Sequence, residues 1–256
     1  SRVLWLLFGQ TVATMEWQDE GIVLSVRAHG ETSAIADVFC RSHGRYGGLI
    51  KGGRSRRMRP VLQIGNHVDA TWSARLADHL GHFRLELNHG YAATAMESPL
   101  RLAALSSMCT LLHLLPERDP HPSLYEVTMF VLGFLDDDSV WPALMVRWEL
   151  ALLQELGFGL DLSKCAATGQ NEDLAFVSPK SGRAVSAAAG APYADRLLVL
   201  PEFLVAGRGA VIQTEDVLDG FSLLGYFLEK HFFAPNGERL PEARSRMVGL
   251  VKRRVE

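Results

Sequence analysis

GIVLSVRAHGE at residues 21–31, SAIADVFCRSHG at 33–44, RYGGLIKGG at 45–53, HVDATWSARL at 67–76 and GHFRLELN at 81–88 are five short runs rich in Val, Ile, Phe and Trp. Glycine and other turn residues separate them, and each is of strand length. Five strands within about seventy residues fit a small closed barrel. A five-stranded OB-fold has this count and is a frequent platform for nucleic acid. An SH3-like barrel reads almost the same from the strand pattern alone.

The stretch RSHGRYGGLIKGGRSRRMR, residues 41–59, runs through the middle of this pattern. It holds seven cations, Arg41, Arg45, Lys51, Arg54, Arg56, Arg57 and Arg59, and no acid. Interleaved glycines and serines let the backbone bend close to a ligand while the long side chains reach outward. Phosphate suits this composition, because each Lys/Arg contact releases condensed counterion and gives sequence-independent, salt-sensitive affinity. A solvated loop has the same composition. Residues 15–93 carry ten Lys/Arg against eight Asp/Glu, and residues 94–256 carry fifteen against twenty-one; with Arg2 this makes the chain's net −3. A basic N-terminal part is thus hidden in a mildly acidic chain. Arg27 and Arg75 extend the basic surface if their strands face the same side. Tyr46 and Trp72, the aromatics nearest the cations, either stack on bases or fill the core.

After Tyr91 the period becomes helical. Ser98-Pro99 predicts an N-cap and first-turn proline for a helix that stops at Pro116, and further helices are expected over 125–135, 141–156, 214–233 and 241–255. Asp136, Asp137 and Asp138 precede the third helix and read as partners of its N-terminal dipole rather than as metal ligands. Residues 164–193 lose all periodicity and are expected to be an irregular insertion. The organisation expected is an extension at 1–14, disordered or not native, a barrel domain at 15–93 and a helical domain at 94–256.

Cys40, Cys109 and Cys165 are odd in number and far apart, which points to a reduced, cytoplasmic chain. The apolar run at residues 3–8 is too short to span a membrane, and no other segment approaches eighteen uninterrupted apolar residues. Met15, right after which the strand pattern begins, is a candidate for the natural start.

Gly21-Ile22-Val23-Leu24 opens the first strand, then come Gly30-Glu31-Thr32-Ser33, the His43-Gly44 turn and Lys51-Gly52-Gly53-Arg54. Arg147-Trp148-Glu149-Leu150-Ala151-Leu152-Leu153, Leu156-Gly157-Phe158 and Arg244-Ser245-Arg246 follow. In this order the strings resemble the RecO family of recombination mediators. The resemblance covers Met15 to about Lys252. It implies an N-terminal OB-fold followed by an all-α domain, binding of single- and double-stranded DNA, and annealing of complementary strands. It also implies partnership with RecR in loading RecA onto strands coated by the single-strand-binding protein, in a nucleoid-associated setting.

The same resemblance implies a zinc ribbon where this chain has Cys165-Ala166-Ala167-Thr168 and Ser186-Ala187-Ala188-Ala189. Three of the four ligand positions carry no thiol or imidazole, so a metal-free ribbon and no cofactor are expected. The apolar stripe of Leu144, Trp148, Leu152 and Leu156 beside Arg147 is the expected groove for the acidic tail of the single-strand-binding protein, with Arg244, Arg246 and Lys252 as the next place to look. No phosphate loop, HExxH or nucleophile elbow occurs, and His79 and His82 read as rim histidines, so no catalytic residue is expected. The competing reading is an OB-fold scaffold for protein partners without direct DNA binding.

Overall fold

The computed structural model describes residues 15–76, 79–205 and 211–254. The expectation for residues 1–14 lies outside this range. Strands β1 (Met15–His29), β2 (Ser33–Cys40), β3 (Gly44–Ile50), β4 (His67–Ala74) and β5 (His82–His89) close into a barrel in the order β1-β2-β3-β5-β4, with β4 returning to β1. A simple meander would pair β3 with β4. Here β5 lies between them, antiparallel to β4 and parallel to β3, and this order separates the OB-like barrel from the all-antiparallel alternative.

Alternation builds the barrel. In β4 the side chains of Val68, Ala70, Trp72 and Ala74 fill the interior, while Asp69, Thr71 and Ser73 lie outside. The string Gly21-Ile22-Val23-Leu24 breaks the alternation because β1 is covered on both faces. Val23 points into the barrel, whereas Ile22 and Leu24, with Phe39 of β2, join the core of the helices. A β-bulge between Val23 and Ser25 accompanies the switch.

Helices α1 (Tyr91–Met96), α2 (Pro99–Leu112), α3 (Pro122–Leu132) and α4 (Trp141–Glu155) follow. Ser98 precedes Pro99 in extended backbone, as its sequence predicts. The α3 helix begins three residues earlier than its periodicity suggests, because Pro122 supplies a first-turn proline. After a further short helix, α5 (Ala187–Gly190), come α6 (Thr214–Leu228), one π turn at Glu229–Phe233, and α7 (Glu242–Lys252).

Within the stretch expected to be irregular, two short strands interrupt the turns, β6 (Leu174–Val177) and β7 (Ala184–Ser186), and β8 (Leu198–Val199), just beyond it, completes a sheet ordered β7-β6-β8. Strands of four, three and two residues are too short to show a period, so local pattern carries no sign of their pairing.

One buried pair joins two of the family-like strings. Arg244 donates to both carboxylate oxygens of Glu149 at 2.8 Å and to the Phe221 carbonyl at 2.7 Å. A charge buried this deeply persists only when paired and fully hydrogen-bonded, which ties α7 to α4 and α6.

Candidate nucleic-acid interface

The structure divides the basic run between the two ends of β3. That strand's seven residues span roughly 20 Å at ~3.3 Å per residue. At its start, Arg45 donates to Asp37 at 2.7 Å and to the Leu115 carbonyl at 3.1 Å, and Arg41 pairs with Glu126 of α3 at 2.6 Å. His113 at the end of α2 also meets Asp37, at 3.4 Å, and the hydrogen bond to that carboxylate raises the imidazole pKa. Gly44 turns with φ of 74°, and a Cβ there would lie 2.0 Å from the Asp119 carbonyl oxygen, so only glycine lets the loop before α3 seat against the barrel. Arg41 and Arg45 therefore serve the joint between barrel and helices, and are not brought together with the other five cations.

At the far end of β3, residues 51–66 fold back on themselves. Gly53 N–H donates to Ile50, Ser55 to Gly52 and Leu62 to Met58, through bonds of 2.9–3.1 Å. Leu62 is buried and Met58 and Val61 half-buried against the barrel core, which holds the turn rigid. Arg54 donates to the carbonyls of Gly30 and Glu31, both at 2.9 Å, and so clamps this loop to the β1–β2 turn. Lys51, Arg56, Arg57 and Arg59 are exposed, and among the described residues their side chains have no hydrogen-bond or ion-pair partner.

A groove of about 480 Å³ runs beside the loop, with Lys51, Arg57 and Met58 on one wall and His82 and Arg84 of β5 on the other. Glu16 and Glu86 lie along the strand side. It exists because β3 and β5 pair at one position, Leu49 with His82, and then diverge. Arg84 is not among the sequence-predicted cations, yet HFRLELN carries the signal: alternation puts His82, Arg84 and Glu86 on one outward face. Arg27 and Arg75 are exposed but line no part of the groove.

The aromatics gather inside the barrel, on the inner face of the strands whose outer face lines the groove. Trp72 is completely buried, its indole N–H 3.2 Å from the carbonyls of Gly47 and Leu80. Trp17 and Tyr46 pack on it with ring centroids 5.6 and 5.1 Å away, and the Arg118 guanidinium lies 5.0 Å over Tyr46. Trp72 is thus core, and Tyr46 is covered by Arg118.

On α4, Leu144 and Arg147 line an apolar pocket of about 440 Å³ together with Pro142, Ile212, Val217 and Arg254. Arg147 is oriented by donating to the Phe203 carbonyl at 2.7 Å. Trp148 and Leu152 are fully buried, with Trp148 donating to Thr128 at 2.8 Å, so neither forms part of an open groove. A four-residue period winds gradually around a helix, which carries this stripe from the pocket into the core. Arg244 is likewise unavailable to a ligand, being spent on Glu149.

Asp138 accepts from Arg101 at 3.0 Å and Trp141 at 3.1 Å and pairs with Arg254. Burial pushes its pKa up, but these donors outweigh it and bring the carboxyl to about 2. Asp137 instead caps Ser139. In the ribbon, Cys165 and Ser186 do meet: the thiol lies 3.5 Å from the Ser186 hydroxyl and accepts its N–H at 3.2 Å. Burial again raises the pKa, and hydrogen bonds from Ser186 and Thr168 overcome it to hold the thiol at about 6. The residues do not fit a zinc ion, since Cys165 alone among the four positions is a metal donor. Among the described residues, no group of three His, Cys, Asp or Glu is placed to hold a metal ion, and no helix is long and apolar enough to cross a membrane.

An OB-like barrel with an exposed cationic loop, backed by helices, is an architecture common among proteins that handle nucleic acid. Comparison with known proteins gives the family. Residues 15–91 match the N-terminal model of recombination protein O, and residues 96–239 match its C-terminal model. The DNA repair protein RecO of Methylobacterium nodulans is 57% identical over 240 residues, 92% of this chain and 98% of its own. That of Rhodospirillum centenum is 54% identical over 242 residues, covering 93% and 96%, and that of Mesorhizobium japonicum 50% over 239, covering 93% and 94%. The chain belongs to the RecO family of DNA repair and recombination proteins.

Proposed function

We propose that this protein is a cytoplasmic, nucleoid-associated recombination mediator that works without catalytic turnover. It binds single- and double-stranded DNA, anneals complementary strands, and with RecR helps to load RecA on strands coated by the single-strand-binding protein. The observation that carries the reading is the group of four exposed cations, Lys51, Arg56, Arg57 and Arg59, which have no partner among the described residues, on a loop packed against an OB-like barrel. Such charges cost no ion pair when they engage phosphate.

The barrel at 15–93 carries the DNA contacts and the helical domain at 94–256 carries the partner contacts. Within the latter, the pocket lined by Leu144 and Arg147 suits the tail of the single-strand-binding protein, which needs an apolar seat beside a cation. An annealing assay with and without that protein tests the whole reading: acceleration in both cases is expected. Arg147→Glu should abolish binding of a tail peptide while leaving affinity for naked DNA unchanged and lowering the thermal midpoint by no more than the loss of the one hydrogen bond to Phe203, about 0.5–1.5 kcal/mol. Absence of salt-dependent DNA affinity would favour the scaffold reading instead.

A further inference from the structure

Resting on the DNA reading above, we propose that the groove between the 51–66 loop and β5 grips a single strand by its phosphates alone and leaves the bases facing solvent. Base-tolerant single-strand sites on OB-folds usually combine a cationic track with aromatic rings on which successive bases stack. Here the two ingredients are on opposite faces of the barrel wall. Lys51, Arg57 and Arg84 line the groove outside, while Trp17, Tyr46 and Trp72 pack inside, on residues that alternate with those of the groove.

Those rings are already engaged. Trp17 is stacked on His43 at 4.0 Å and packs on Trp72, Trp72 donates to two carbonyls, and Arg118 covers Tyr46. Phe83 reaches the groove floor with 5% of its surface exposed, and its edge is locked against Trp17. Among the described residues His82 is the one exposed ring along the groove, too little for a platform that takes consecutive bases.

The backbone supplies what the rings do not. Beyond His82, β5 has β4 as its one strand neighbour, so the amide groups on its other edge point toward the groove. Sheet-edge N–H groups beside cations suit a phosphate chain and read no base. Glu16 and Glu86 on the strand side keep the backbone of the bound strand against the loop wall. A strand held this way keeps its pairing edges free, so a complement can pair with it while it is still bound. Annealing then needs no release step.

The test compares three fluorescent strands of equal length, one mixed in sequence, one of thymidine alone and one wholly abasic, titrated with the full chain at two salt concentrations. All three should bind within about twofold and with the same salt slope. Stacking is worth roughly 5- to 150-fold per base, so a much weaker abasic strand would overturn the proposal while leaving DNA binding intact. Absence of salt-dependent binding to any strand would instead sink the DNA reading itself. The variant Arg57→Glu with Arg84→Glu changes two exposed side chains, and should weaken natural and abasic strands by the same factor. No effect on either would place the strand elsewhere and overturn the assignment. Permanganate should oxidise thymines in the bound strand as fast as in the free one; protection would mean that the bases are buried.

Discussion

Two arginines that are neighbours in a basic run, Arg45 and Arg54, end on opposite sides of a strand with different tasks. Arg45 meets Asp37, Leu115 and, at 3.6 Å, Glu117, and helps to fasten the barrel to the helices. Arg54 clamps a turn whose other cations, Arg56, Arg57 and Arg59, have no acid within reach among the described residues. In sequence both ends are basic and free of acid; the acids that other elements bring to them differ. Cations are therefore sorted by long-range pairing, which makes one group structural and leaves the other available to phosphate.

The strongest test of this sorting uses the most deeply spent cation. Arg244→Ala strands Glu149 as an unpaired buried charge and should cost about 3–5 kcal/mol of stability, lowering the unfolding midpoint by roughly 10 °C. DNA affinity measured well below that midpoint should not change. A loss of affinity in the fully folded variant would mean that Arg244 also serves the interface.

The reverse experiment is charge reversal of Arg56, Arg57 and Arg59 to Glu. Thermal stability should stay within about 0.5 kcal/mol, because among the described residues nothing bonds to these exposed side chains. The plot of log affinity against log salt should flatten by a slope of roughly 2 to 3, read by anisotropy titration. An unchanged slope would mean that this loop does not touch phosphate.

Much of the fold is legible in the amino-acid sequence itself. The five strand runs, the helix from Ser98-Pro99, and the helix at 141–156 are set by local alternation, first-turn prolines and periodicity, and they stand within a few residues of expectation except for the earlier start of β1. The site is less legible. Nothing within residues 41–59 announces that Asp37 and Glu126 will claim Arg45 and Arg41, and nothing near Trp148 announces Thr128. Arg84 is hidden for the converse reason: it sits in a strand with acids beside it, and only the divergence of β3 from β5 makes it a groove wall. Local rules place elements; contacts between distant elements decide which side chains remain free.

Asp138 offers a smaller, titratable version of the same sorting, since it holds Arg101 and Arg254. Its folded pKa of about 2 lies below the ordinary 3.8, so its contribution is complete above 3.8 and is lost as pH falls from there through 2. The shift corresponds to about 2 kcal/mol for a group that is largely shielded from solvent. Asp138→Asn should thus cost about that much near neutral pH and nothing below pH 2, as followed by acid unfolding of the two proteins. A difference that persists at pH 2 would assign the effect to packing rather than to charge.

The smallest effect expected is also the one that probes the boundary between the two classes. Arg41 is paired with Glu126 at 2.6 Å, yet both side chains are about half exposed, at 49% and 55%. A pair so open to water is worth roughly 0.2–1 kcal/mol, since solvent screens it and two long side chains lose freedom in forming it. Arg41→Ala should therefore move the midpoint by a degree or two at most. The informative reading is DNA affinity. If Arg41 belongs with the structural cations, the salt slope stays as it was, because Glu126 already neutralises the guanidinium. Suppose instead that the slope falls by nearly one unit, as for a lost phosphate contact. Then the weak pair opens when DNA arrives, the strand follows β3 along its length, and the interface reaches the joint with the helices. Glu126→Gln separates these cases independently: freeing Arg41 should tighten DNA binding if phosphate competes for it, and leave binding untouched if the two ends of β3 act separately.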